Sequence, residues 1–158
     1  MKRWVWLLCG ILLMGAGGKQ GVELENLKPV SLLEVRREDG IITLRTDTGD
    51  YGTGKTWQAA LKDMEETSTG MIFMETADFL LLCENTDELL PEICEKLRPA
   101  IRVCKSERKI DPQSAAEFLS AHPPCTTLGA VFREGKEPAR LLKEGGRLKI
   151  DETPGKNK

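Results

Sequence analysis

The stretch Gly49-Asp50-Tyr51-Gly52-Thr53-Gly54-Lys55-Thr56 matches G-x-x-x-x-G-K-[ST] at every fixed position. Read one way, it is a phosphate-binding loop. Glycines let backbone N–H groups face a phosphate, and the helix that follows adds positive potential at its N-terminus. Read the other way, it is a glycine-rich lead into a helix, with Thr53 or Thr56 as cap and Lys55 in solvent. The first reading needs a strand set inside a parallel sheet; the second suits a sheet that opens with a hairpin.

The residues upstream favour the second. Val30 to Arg36 and Ile41 to Thr46 are strand-like, and Glu38-Asp39-Gly40 lies between them. Asp-Gly is a strong hairpin signal because both turn positions tolerate positive φ. The two runs are therefore expected to pair antiparallel, with residues 48–54 as a flexible connection. Thr46-Asp47-Thr48 separates the apolar run from Gly49, and Asp47 and Asp50 put negative charge where a phosphate would sit. A phosphate loop also needs a second strand ending in an acid that helps hold magnesium. Phe79 to Cys83 followed by Glu84 is the nominee. A nucleotide-binding protein using Lys55 and Thr56 stands as the alternative function.

Downstream, Trp57, Ala60, Leu61 and Met64 recur at helical spacing up to about Thr69-Gly70. Trp57 belongs to the core side of that helix. Glu65-Glu66 is a charged helix end, since adjacent acids on a helix do not face one point. Met71 to Met74 and Phe79 to Cys83 read as buried strands. Leu89, Leu90, Ile93 and Leu97 mark a second helix with Pro91 in its first turn, and 86–89 is a separate short turn. Ile101 to Cys104 is a strand. Asp111-Pro112 opens a third helix, whose apolar side carries Ala115, Ala116, Phe118 and Leu119. Thr126 to Phe132 reads as a strand, and Pro138 to Lys143 as a short helix stopped by Gly145-Gly146. Arg147 to Ile150 reads as an edge strand. The expected fold is α+β (or α/β): one domain over 22–150, its mixed sheet beginning with an antiparallel hairpin and flanked by about three helices.

The N-terminus has the form of an export signal. Lys2 and Arg3 precede an uncharged apolar run, Trp4 to Met14, and Gly15-Ala16-Gly17-Gly18 supplies small residues for cleavage. Residues 1–18 are thus a signal peptide or an N-terminal anchor. The apolar run is shorter than the ~20 residues of a spanning helix, and Trp6-Leu7-Leu8-Cys9 is a poor lipid-attachment box. Setting aside Lys2 and Arg3 leaves 21 bases against 25 acids, a net charge of −4. No basic stripe attracts nucleic acid. Residues 151–158 form a polar tail, expected to be disordered.

Beyond Cys9, the chain has Cys83, Cys94, Cys104 and Cys125. Four cysteines in an exported chain allow two disulfides in three connectivities. Their spread across regular elements favours unpaired core thiols over loop staples. No C-x-x-C pair occurs and His122, the only histidine, stands beside Pro123-Pro124 with no acid and cysteine in register, so neither a zinc site nor a catalytic base is expected. The expected catalytic, cofactor and metal residues are none, and the chain is read as no enzyme.

From Val22-Glu23-Leu24-Glu25-Asn26-Leu27 onward the chain resembles the N-terminal domain of the C subunit of spore germinant receptors, the Ger(x)C family of spore germination lipoproteins. The likeness runs through the charged turn Arg37 to Gly40, the glycine-rich 49–54 leading into a "T-x-x-x-A-L" type helix from Thr56, and Phe73 with Phe79 to Leu82. It continues through Leu89 to Leu97, Ile101 to Val103 and Ser114 to Leu119, covering roughly residues 22–133. The family's lipid-bearing cysteine is replaced by Gly15-Ala16-Gly17-Gly18, and its Gly-His pair by Glu75-Thr76. The resemblance implies a stand-alone, non-catalytic, membrane-proximal protein of an endospore former. It would be exported to the outer face of the cytoplasmic (or inner spore) membrane or secreted, and would meet protein partners there without cofactor, nucleic acid or an identified small-molecule ligand.

Overall fold

Asp39 and Gly40 both hold positive φ, 49° and 76°, the backbone of a two-residue hairpin turn. A computed structural model describes residues 27–83 and 85–152. The short strand β1 (Leu27–Pro29) comes first, then the hairpin of β2 (Leu32–Glu38) and β3 (Ile41–Thr46), paired antiparallel as expected with Val35 opposite Leu44. Residues 1–26, 84 and 153–158, and with them the expected signal, the nominated Glu84 and nearly all of the polar tail, lie outside the described residues. Asp151 of that tail is described, and it closes the last strand of the sheet.

The next element corrects the sequence reading. Residues 51–54 are a strand, β4 (Tyr51–Gly54), antiparallel to β3 with Leu44 opposite Gly52. Helix α1 (Trp57–Thr67) follows and buries Trp57, Ala60 and Met64. β5 (Met71–Phe73) is also shifted from expectation: it is not buried, and it pairs in parallel with β1 in a separate two-stranded ribbon. A 3₁₀ turn, Met74–Thr76, leads to β6 (Phe79–Cys83), every residue of which is buried. A continuous apolar run of this kind belongs at the middle of a sheet covered on both faces.

A 3₁₀ turn at Asp87–Leu89 precedes α2 (Leu90–Lys96), with proline in its first turn, and β7 (Arg102–Ser106) and α3 (Pro112–Ala121) come next. Residues 126–132, read as a strand, fall mostly in α4 (Leu128–Glu134). Thr127 caps it by accepting from the Ala130 N–H, and Leu128 and Val131 share its buried side. The reverse error follows at once: residues 138–143, read as a helix, form β8 (Ala139–Glu144). Gly145 and Gly146, both at positive φ, are its hairpin turn into β9 (Arg147–Asp151), and no helix stop.

The main sheet has the order β4-β3-β2-β6-β7-β8-β9. Its four central strands, β2, β6, β7 and β8, run parallel, and the outer pairings are antiparallel. The mixed α+β sheet beginning with a hairpin is thus present, flanked among the described residues by four helices. Side-chain alternation divides the core in two. Leu33, Val35, Leu80, Leu82 and Val103 meet Trp57, Met64, Ile93, Leu128 and Val131 of α1, α2 and α4 on one face. Leu32, Leu81, Cys104 and Leu141 meet Ala115, Ala116 and Leu119 of α3 on the other.

Candidate functional site

The 49–56 stretch is spread over three elements. Gly49 closes the turn from β3, where its N–H donates to the Thr46 carbonyl. Tyr51 to Gly54 lie in an edge strand, and Thr56 caps α1 by accepting from the Ala59 N–H at 3.2 Å. Lys55 is exposed. The glycines answer a packing demand: a Cβ at Gly52 would come within 2.5 Å of the Met64 nitrogen, and one at Gly54 within 2.5 Å of the Ala60 nitrogen. The helix backbone lies directly on the strand, which only glycine allows.

Polar groups around the stretch are engaged by the chain itself. The Thr53 N–H donates to Asp63 Oδ2 at 2.7 Å, so a carboxylate of α1 already occupies an amide that the phosphate reading required. The Thr67 hydroxyl donates to the Tyr51 carbonyl. Asp47 Oδ1 accepts the Ser31 and Leu32 N–H groups and anchors the start of β2. Asp50 is nearly buried and receives Lys28 Nζ at 3.0 Å, the Ser68 hydroxyl at 2.8 Å and the Thr48 hydroxyl at 2.9 Å. Burial works to raise the Asp50 carboxyl pKa, but these three donors outweigh it and hold the group below its usual range.

The sequence reading missed a second polar cluster. Glu34 is fully buried in the middle of β2. Its Oε1 receives Arg36 Nη2 and its Oε2 receives Arg45 Nη1, both at 3.2 Å, while the Cys83 thiol donates to Oε1 at 3.4 Å. Arg36 also reaches Glu38 at 2.8 Å. A signal for it existed: an acid within Leu32-Leu33-Glu34-Val35, a base two residues on, and Arg45 opposite it in the hairpin register. The arrangement can fix the register of β2 and β3, because slipping by one residue would leave a buried carboxylate without its partners.

The cysteines are unbridged, with Cys83 and Cys104 buried, Cys94 half-buried and Cys125 exposed. Burial, joined by the neighbouring Glu34, pushes the Cys83 thiol up to about 12. Burial alone does the same to Cys104. Such thiols are protonated and poor nucleophiles at neutral pH. Burial also raises Cys94, and at Cys125 a hydrogen bond to Glu152 is the main cause of a raised pKa.

His122 stacks on Phe118 with ring centroids 4.6 Å apart, and its Nδ1 lies 3.3 Å from the Phe118 carbonyl oxygen. Trp57 is wholly in the core, with its indole N–H unpartnered. Among the described residues, no group of three His, Cys, Asp or Glu is placed to hold a metal, and no helix is long and apolar enough to cross a membrane.

The remaining distinctive surface is the β1–β5 ribbon. Ile72 packs towards the core, whereas Met71 and Phe73 on either side of it are exposed by 53% and 39%. Met71 lies opposite Leu27, the first described residue. No protein-family model matches this chain, and neither a curated protein nor a solved structure matches it.

Proposed function

We propose that this chain is an exported, non-enzymatic domain that works at a membrane surface through protein–protein contacts, in the manner of the first domain of a spore germinant receptor C subunit. The observation that carries the proposal is the segment Met1 to Gly18, with its Lys2-Arg3 start, apolar Trp4 to Met14 and small-residue end. Met71 and Phe73 support it, since paired exposed apolar side chains on the β1–β5 ribbon suit a protein partner. The partner would be a membrane protein of the receptor type that the resemblance implies.

Fractionation of a sporulating culture, followed by immunoblotting, tests the location. The protein is expected in the membrane or extracytoplasmic fraction; an unprocessed protein confined to the cytoplasm overturns the proposal. Crosslinking from position 71 or 73 tests the contact surface. The alternative, nucleotide binding through Lys55 and Thr56, rests on the motif match alone. Calorimetry with ATP and magnesium decides it. Binding that Lys55→Ala abolishes would replace our reading, and absence of heat retires the alternative.

A further inference from the structure

A cavity of about 250 Å³ opens where β6 and β7 end, walled on its far side by β8. This is the carboxyl end of the parallel strands, the place where open α/β sheets take their ligands because loops diverge there. Neither the 49–56 stretch nor the β1–β5 ribbon contributes to it.

The chemistry of its wall is unusual. Lys105 of β7 and Arg140 of β8 are register partners in adjacent strands, and both line the cavity. Two cations side by side on one face of a sheet repel each other and attract anionic groups; on its other side Arg140 faces Asp151 of β9. Leu82 and Leu142 supply apolar surface beside the two charges. Asn85, held in the left-handed conformation at φ 61°, lines the same space.

The chain's own carboxylates now sit where an anion would. Asp87 Oδ1 is 2.6 Å from Lys105 Nζ, and Glu107 Oε1 is 3.7 Å from Arg140 Nη1. Both acids are mostly exposed, at 66% and 70%, and both lie outside the strands. Exposed ion pairs hold weakly, and Glu107 meets Arg140 through a single long contact. A bound carboxylate can take both N–H groups of the Arg140 guanidinium fork and displace Asp87 from Lys105.

We propose that this cavity binds a small organic carboxylate, its acid group on Lys105 and Arg140 and its carbon body on Leu82 and Leu142.

Amide NMR titration of the full chain with succinate, and separately with inorganic phosphate, tests the proposal. Succinate is expected to give saturable shifts at Lys105, Ser106, Arg140 and Leu142. Lys105→Gln and Arg140→Gln should each weaken binding at least tenfold. Asp87→Asn should strengthen it several-fold by removing the competing carboxylate, which a merely structural ion pair would not do. If either glutamine variant loses its native spectrum, Asp87→Asn and Glu107→Gln decide the matter alone. No saturable shift with succinate overturns the proposal, as does binding unchanged in both glutamine variants, weakened in Asp87→Asn, or tighter for phosphate than for succinate. Cellular fractionation does not bear on this site, so the two proposals fail separately.

Discussion

At Gly52 a methyl group would overlap the Ala60 carbonyl oxygen and come within 2.5 Å of the Met64 nitrogen, both of them backbone atoms of α1. Neither can turn aside as a side-chain end could, so the helix itself must lift from β4. Overpacking of this sort costs roughly 1–3 kcal/mol and sometimes more. Gly52→Ala and Gly54→Ala are therefore expected to lose about 3 kcal/mol or more in urea unfolding, whereas Lys55→Ala, in solvent, should stay within about 0.5 kcal/mol. A phosphate-loop role would leave the glycine variants folded and impair only ligand binding. Asp50 makes a second prediction at this scale. Its folded pKa is held below the usual 3.8, with burial opposing and Lys28, Ser68 and Thr48 prevailing. The unfolded chain therefore takes up the proton first, so the contribution of Asp50 is complete above pH ~4 and fades as pH falls through the folded value. Asp50→Asn should lower stability at pH 6 and narrow the loss between pH 5 and pH 3, measured by urea unfolding at each pH.

Helix α3 shows what makes an element readable. Asp111 accepts the Ser114 N–H at 2.9 Å and its hydroxyl at 2.8 Å, and proline follows at the first helical position. Asp111→Ala should cost about 1–2 kcal/mol, seen as a lower urea midpoint; Asp111→Ser should recover most of it. That cap, the Asp39-Gly40 turn and the apolar run of β6 were legible because each signal is local and has one physical meaning. Elements whose signals have two meanings were misread. Gly145-Gly146 after an apolar segment serves equally as a helix stop or a hairpin turn, and β8 uses it as the turn. Thr126-Thr127 looks like β-branched strand sequence, yet Thr127 is a helix cap. β4 was invisible for a different reason. Tyr51-Gly52-Thr53-Gly54 has no apolar alternation, since its inward positions are filled by the backbone of α1 in place of side chains. The role of 49–56 was legible in part, because the hairpin context and the acids at 47 and 50 pointed away from a phosphate nest. The Asp63 carboxylate on the Thr53 amide depends on a helix folding back over the strand, which no spacing rule anticipates.

Which strands become neighbours is decided by the whole molecule. β2 and β6 pair in parallel although about forty residues separate them, and hydrophobic periodicity says nothing about such a choice. Once made, it places β6 and β7 at the centre of the sheet, between helices on both faces, and so ties Cys104 to global stability. The Cys83 and Cys104 thiols are both pushed to about 12 by burial, with Glu34 adding to the effect at Cys83. At pH 8 each is protonated; Cys83 ends β6 and borders the cavity there, whereas reagent can reach Cys104 only by separating strands that lie inside the sheet. Openings of that size coincide with global unfolding. Alkylation followed by peptide mass spectrometry should therefore show Cys125 modified first and Cys94 next. Cys83 should follow, and Cys104 last, at a rate whose urea dependence matches that of unfolding. Cys125 should still react more slowly than a free thiol because Glu152 disfavours its thiolate, and Glu152→Gln should speed it. If Cys83 reacted as fast as Cys125 in the absence of urea, the end of β6 would open by itself. The Glu34–Arg36–Arg45 cluster, which receives the Cys83 thiol, would then be a locally unstable patch instead of a clamp on the register of the hairpin.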